Sequence, residues 1–387
     1  MQDLNAPMDS IEIRFAKSVD EVVQGLDLYC ASFPGGYEAN QLITQNRSRI
    51  LIDDHLPDRA IVAVKNGEVI GFFRYCVRQM RLGDVDFDVI GVVDYCIRKS
   101  EVSEPLFGIR FMGACLSILR TLKFPFALGS GRRIMESYYA RFGFVTCSSY
   151  AKCWIEKIPS RLPSRTTAYC EVSVSESYIA DYESFRLTTS KDDWGVIYRT
   201  SEQWRWIIFR ASQFNQFDIV QILNDDVLIG YFIMGKEGVL DFGFHPEHYT
   251  ACSIAMIIEL QKRNEERGDA MVLPVSFNHP IIAHLKGMHF RFEHRCVPDE
   301  GIMTVAMNTD ALLDVFAAIC KRPLNQAIAE LFGPGRVITP DNGLTSDEQR
   351  TLVNALFMGT ASPFFVGGVQ RDLLSPTFYR ANDIDAL

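Results

Sequence analysis

Between Ala60 and Tyr75 the chain reads "AIVAVKNGEVIGFFRY", and between Asp218 and Met234 it reads "DIVQILNDDVLIGYFIM". Each stretch is an alternating apolar strand, a short polar turn and a second strand that holds an Ile-Gly pair. Asn66-Gly67 is a strong hairpin signal, because both residues accept the left-handed backbone that a two-residue turn demands. Asn224-Asp225-Asp226 serves the same end less well. The chain therefore uses one supersecondary plan twice.

The flanks extend the repeat. Before the first hairpin, "IEIRFAKSVDEVVQGLDLYCASF" reads as a strand followed by an amphipathic helix, with Ser18 and Glu21 spaced as a capping box. After it come a strand "DFDVIGVVDYCI", a polar loop, a helix "GIRFMGACLSILRTL", a strand "FPFALGSG" and a helix "RRIMESYYARFGF". The second copy runs from "AYCEVSVSESYIADYESFRL" through its hairpin to the strand "GVLDFGF", the helix "CSIAMIIELQKRNEERG", the strand "AMVLPVS" and the helix "HPIIAHLKGMHF". Between the copies, "KIPSRLPSRTT" has two prolines, three positive charges and no apolar period, so it reads as a linker. From Thr309 onward, "TDALLDVFAAICKR" and "TSDEQRTLVNALFMG" read as capped helices separated by the breaker "GPGRVITPDNG". The expected division is a first unit over residues 1–157, a second over 168–308 and a small helical region over 309–387, in an α/β fold with a mixed sheet in each unit.

Composition bounds the function classes. At 387 residues, 48% hydrophobic and 22% charged, the chain is an ordinary folded protein of two or three domains. Its 48 acidic against 39 basic residues leave a net charge of −9, which repels a phosphate backbone, so no nucleic-acid partner is expected. No stretch is long and apolar enough for a membrane span, and the start lacks a leader pattern, so a cytoplasmic protein is expected. The ten cysteines are scattered singly and read as buried free thiols in a reducing compartment. His279, His284 and His289 are spaced five apart, which on a helix turns successive rings about 140° from one another, so no shared metal ion is expected.

The chemistry-bearing corner is "ESYYARFGF", Glu136 to Phe144, where two tyrosines precede a Phe-Gly-Phe turn. The segment Tyr138-Tyr139-Ala140-Arg141-Phe142-Gly143-Phe144 resembles the corner of the GNAT (GCN5-related N-acetyltransferase) superfamily, and the strand and helix order of roughly the first 155 residues resembles it too. The resemblance implies an acyl-CoA co-substrate, a transfer to an amine, and Tyr139 as the acid that protonates the departing thiolate. Tyr138, about 100° round the helix, reads as core. Asp94, on the strand "VVDY", is the nearest carboxylate to act as base.

The resemblance also implies a donor loop at the start of the preceding helix, whose free amides and positive dipole suit a pyrophosphate. The matching stretch is "PLFGIRF": Gly108 fits, Pro105 replaces the family's basic residue, and Arg110 replaces its second small one. Donor contacts are then implied for Cys96, Ile97, Phe107, Gly108, Ile109, Arg110 and Gly131. Two such units followed by a small region resemble the Eis-like tandem acetyltransferases, with residues 309–387 standing where those have a sterol-carrier-like domain. That likeness implies a second base, the terminal carboxylate of Leu387. The corner of the second unit, "HLKGMHF", has no tyrosine, so the second copy is expected to be degenerate. Expected partners are a small-molecule or peptide amine and no membrane; self-association is left open. The competing expectation is a binding or scaffold protein that kept the fold and lost its donor loop.

Overall fold

The structure, a computed structural model, describes residues 11–32, 56–102, 106–130, 136–146, 150–159, 167–173, 175–191, 195–214, 217–275, 279–297, 302–333 and 344–358. In the first unit these form β1 (Ile11–Phe15), α1 (Val19–Ser32), β2 (Ala60–Lys65), β3 (Glu68–Leu82), β4 (Val85–Ile97), α2 (Phe107–Arg120), β5 (Phe126–Ser130), α3 (Glu136–Ala140), β6 (Val145–Thr146) and β7 (Tyr150–Lys157). The second unit contributes β8 (Tyr169–Val172), α4 (Ile179–Thr189), β9 (Val196–Ile197), α5 (Ser201–Phe214), β10 (Phe217–Asn224), β11 (Val227–Gly235), β12 (Gly238–Phe244), α6 (Tyr249–Arg267), β13 (Val272–Leu273), α7 (Pro280–Gly287), β14 (Arg291–Val297) and β15 (Ile302–Ala306). Three helices follow: α8 (Thr309–Cys320), α9 (Leu324–Phe332) and α10 (Ser346–Met358).

The two hairpins match to the residue. Lys65 pairs with Glu68 around Asn66 (φ +52°) and Gly67 (φ +82°), and Asn224 pairs with Val227 around Asp225 (φ +50°) and Asp226 (φ +63°). Both turns thus have the doubly left-handed backbone that follows the twist of the strands. Asn224 itself belongs to the strand. Each hairpin then carries a bulge close to the turn, with Ile70 and Ile229 of the second strands left over opposite Ala63/Val64 and Ile222/Leu223. The expected capping of α1 is present with one change of partner. The Glu21 amide donates to Ser18 Oγ (3.3 Å), but the Glu21 carboxylate receives the Lys17 amide (2.6 Å) and the Arg14 guanidinium (2.8 Å).

The sheets do not respect the chain order of the units. The first runs β1-β2-β3-β4-β5-β15-β6, with β9 also paired to β3, and the second unit is built on two sheets, β8-β10-β11-β12 and β13-β7-β14. In both, four antiparallel strands precede a group of three whose middle strand comes from the other unit. β7 lies between β13 and β14, pairing with β14 from Tyr150 to Lys157, while β15 lies between β5 and β6. Boundaries at 157 and 308 therefore divide the sequence, yet each sheet is completed by its neighbour's strand. Apolar alternation marks a strand but does not say which edge it joins.

Cores form on both faces. Phe73, Ile90, Phe111, Met112 and Leu116 pack between the first sheet and α2. On the opposite face Val22 and Leu26 of α1 meet Phe72, Cys96 and Trp206, the last brought by α5 of the second unit. β3 and β4 are 15 and 13 residues long, and their far end carries Met80, Leu82 and Val89 into a core with Phe316, Ile328, Leu352 and Phe357 of the last three helices. The C-terminal region is therefore held by the first unit. Every cysteine among the eight whose state is described is free, and burial pushes the Cys153 thiol up to about 12.

His279, His284 and His289 do not share a helix. His279 caps α7 by accepting the Ile281 amide on Nδ1 (3.2 Å), His284 lies within α7, and His289 is past its end with φ +61°. Among the described residues no cluster of metal ligands occurs, and no helix is long and apolar enough to cross a membrane. His279 is 3% exposed, and desolvation pulls its pKa down to about 3. As pH falls from the ordinary histidine value near 6.5 toward 3, the unfolded chain gains a proton that folded His279 refuses, so stability falls. His279→Asn keeps the cap and removes the titration. Urea unfolding between pH 7 and 4 should show a shallower loss in that variant, by up to about 1.4 kcal/mol per pH unit.

Candidate active site

The site is built on an irregularity in β4. Phe72 of β3 faces Cys96 and Arg74 faces Val93, so Asp94 and Tyr95 together stand opposite Phe73. Two residues against one is a β-bulge, which bends and twists the strand that carries it. Asp94 takes the left-handed conformation (φ +51°) that a side chain tolerates poorly, and aspartate is among the residues that adopt it most readily. Its Oδ2 lies 2.5 Å from Arg74 Nε, and both side chains are almost fully buried. The ion pair spans the bulge.

β4 and β5 are parallel partners only from Ile90 to Val92, opposite Ala127 to Gly129. Past the bulge they part, and the edge of β4 that faced β5 has no strand partner among the described residues. At the mouth of the split stands the start of α2. Its N-cap Leu106 is left-handed (φ +70°) and makes no side-chain cap. The first helical bond runs from the Arg110 amide to the Leu106 carbonyl, which leaves the amides of Phe107, Gly108 and Ile109 without helical acceptors.

Two tyrosines tie that helix start to the split strand. Tyr95 on β4 donates to the Gly108 carbonyl (2.8 Å), and Tyr138 of α3 reaches the same oxygen (3.1 Å) and the Tyr95 hydroxyl (3.0 Å). Their rings sit 6.4 Å apart, and Tyr95 also stacks on Phe111 at 5.8 Å. A Cβ on Gly108 would lie 3.3 Å from the Tyr95 hydroxyl, so glycine keeps this crossing close. Burial raises the pKa of both phenols above the ordinary value.

Tyr139 differs from its neighbour. Its ring packs edge-on against Tyr138 (5.4 Å) and Phe144 (5.5 Å), but its hydroxyl has no hydrogen-bond partner among the described residues. Desolvation raises its pKa, so it stays a protonated phenol at neutral pH. The turn after it is closed by Gly143 (φ +89°), whose amide donates to the Ala140 carbonyl (3.1 Å). A Cβ there would be strained, which is why glycine stops this helix. Arg350 of α10 also reaches the Ala140 carbonyl (3.3 Å), so the C-terminal region caps the tyrosine helix.

The sequence-predicted residues separate into groups. Gly108, Ile109 and Arg110 form the start of α2 with Ile97 beside Gly108, Tyr139 stands next to Tyr138, and Asp94 is turned to Arg74 and acts on Cys96 and Cys30 of the α1 side. Arg110 has no ion-pair partner among the described residues, and its Nε is buried without a hydrogen bond. Phe107 is 1% exposed and Phe111 is fully buried, so both rings belong to the core and Phe107 offers the site only its backbone. The Cys96 side chain likewise turns toward α1, and its thiol is pushed up by burial. Pro105, Gly131 and Leu387 lie outside the described residues. Sequence reading missed Tyr95 and Arg74, since only the bulge shows that Tyr95 faces α2 and that Arg74 meets Asp94. In the second unit β12 and β13 are not hydrogen-bonded, and Tyr249 at the start of α6 packs edge-on against His284 of α7 at 6.0 Å.

No protein-family model matches the chain, and no curated protein matches it by sequence. Among solved structures it is similar to a GCN5-related N-acetyltransferase from Anabaena variabilis, with TM-score 0.57 and 11% identity over 77% of this chain and 73% of that one. A GCN5-related N-acetyltransferase from Kribbella flavida gives 0.56 and 14% over 82% and 75%. Eis1 from Mycobacterium abscessus gives 0.53 and 16% over 81% and 76%. The shared property is the fold, and the two matching strand orders show that this chain carries the GCN5-related N-acetyltransferase fold twice, in tandem.

Proposed function

We propose that the chain is an acyl-CoA-dependent N-acyltransferase with one active site, at the β4–β5 split of the first unit. The observation that carries this reading is the Tyr139 hydroxyl, without a hydrogen-bond partner among the described residues, set in a unit whose central strands part beside a helix start with no side-chain cap. The free edge of β4 at Tyr95–Ile97 offers backbone groups to the amides of an extended donor arm, as an added strand would use them. The amides of Phe107, Gly108 and Ile109, with Arg110 beside them, suit its pyrophosphate.

The acceptor is an amine of a small molecule or peptide, and it attacks the thioester in its neutral form. As the tetrahedral adduct collapses, the carbon–sulfur bond breaks and the sulfur takes up charge. Tyr139 donates its proton or a hydrogen bond to that sulfur. The amine's proton leaves to a water. Asp94, named from sequence as a base, has Oδ2 committed to Arg74, and this reading gives it the task of fixing the bulge.

A binding protein without catalysis is the second reading. It draws support from Arg110, whose long side chain stands where the family has a small residue and narrows the approach to the helix amides. Calorimetric titration with acetyl-, octanoyl- and palmitoyl-CoA, followed by a thiol-release assay with an amine panel, separates the two. Saturable donor binding with amine-dependent release of CoA is expected. Donor binding without release under any amine favours the binding protein, and no donor binding sinks the acyltransferase.

A further inference from the structure

A cleft of about 320 Å³ opens between α2, the turn after Tyr139, β15 and α10, and none of its lining residues comes from β4 or the first turn of α2. Arg120, Arg141 and Arg350 line it, and none of its described lining residues is a carboxylate. In a chain of net charge −9 that concentration runs against the composition. Arg120 and Arg141 have no ion-pair partner among the described residues. Arg350 spends one nitrogen on the Ala140 carbonyl (3.3 Å), and its one ion-pair partner among the described residues is Asp347, at 3.8 Å, a carboxylate that is 94% exposed and off the lining. Although much of Arg120 is exposed, the protein atoms packed around the cleft desolvate it enough to lower its pKa, with no acid beside it to offset the cost.

The floor is apolar. Leu116, Phe142, Val305 and Val353 supply it, and Gly113 on α2 keeps one side open, a Cβ there standing 4.0 Å from the Phe142 ring. Gln349 of α10 adds a polar wall, fixed by its bonds to Thr309 Oγ1 (3.0 Å) and the Leu344 carbonyl (3.4 Å). Size and lining are those of a small-molecule pocket at the lower end of the usual range, with cationic side chains beside an apolar base. Three arginines overcompensate a single carboxylate, whereas a phosphomonoester carries nearly two charges and three acceptor oxygens for their forked donors.

We propose that this cleft is a second ligand site, separate from the donor groove, that binds a small phosphomonoester with an apolar or aromatic body. Its wall at Arg141, Phe142 and Gly143 is the turn that ends the Tyr139 helix, and Phe142 stacks edge-on with Tyr138 at 5.3 Å. A ligand that favours one arrangement of that turn biases the tyrosine corner, and donor binding then acts back on the cleft by the same factor. This last consequence rests on the acyltransferase reading; occupancy of the cleft does not.

The test is calorimetric titration of the full chain with phenyl phosphate and with AMP, using benzyl alcohol and adenosine as uncharged controls, with and without saturating CoA. Both phosphates should bind saturably and more weakly at higher salt, the controls should not bind, and binding should persist with CoA present. Arg120→Gln and Arg141→Gln, both at exposed positions, should each weaken binding at least about tenfold, the loss of one charge-assisted hydrogen bond. Tyr139→Phe should leave it unchanged. Absence of saturable phosphate binding overturns the proposal, as does an affinity indifferent to both arginine substitutions. Complete displacement by CoA overturns it too, because the phosphates would then be occupying the donor groove. None of these outcomes depends on whether acyl transfer occurs.

Discussion

Tyr139→Phe is expected to lower the turnover of acyl transfer by about 10²–10⁴ while acyl-CoA affinity stays within about twofold of the parent, the range set by loss of one general acid. The substitution removes an oxygen that bonds to nothing described, so neither packing nor stability gives the variant another reason to fail. Burial raises the pKa of the phenol. The group therefore remains protonated through the physiological range, and activity should fall only as pH climbs into the alkaline region where tyrosines ionise. The Phe variant lacks that alkaline limb. Tyr138→Phe is the internal control: its hydroxyl is occupied by the Gly108 carbonyl and Tyr95, so it should cost stability and spare most of the turnover. Steady-state rates and donor titrations on both variants decide the matter, and equal turnover in Tyr139→Phe and the parent would remove the acid role.

Asp94→Ala should destabilise the protein by about 3–5 kcal/mol, the usual cost of breaking a buried ion pair from one side. Arg74 is 2% exposed and its Nε faces the Asp94 carboxylate. Removing that carboxylate takes away the negative charge facing a buried guanidinium, and a left-handed alanine at φ +51° adds backbone strain. If Asp94 instead served as a base, Asp94→Asn would fold nearly as well as the parent and lose turnover selectively. Denaturant midpoints measured beside turnover distinguish the two. A stable, inactive Asn variant would return Asp94 to the chemistry.

Much of this was legible in the residues. The Asn66-Gly67 and Asp225-Asp226 turns, the capping box on α1 and the Phe-Gly-Phe stop after α3 are local signals, fixed by backbone conformations that few residues accept, so they read correctly without tertiary context. The donor-loop residues were harder. Phe107 and Cys96 belong to the right segments, yet their side chains face cores on opposite sides of the sheet, and a loop of irregular period does not reveal that.

By itself the sequence determined that one strand-turn-strand plan occurs twice, that a tyrosine pair precedes a glycine corner in the first copy alone, and that a helical region follows. These are short-range properties, and hydrophobic period and turn chemistry suffice for them. Only the tertiary structure decided that β7 and β15 cross between sheets, that Arg74 neutralises Asp94, that Tyr95 and Tyr138 close on Gly108 while Tyr139 stays open, and that three arginines from distant segments line one cleft. Each of these is a pairing between residues far apart in sequence. Such partners are chosen by which edge, bulge or face packing leaves available, and no local pattern records that choice.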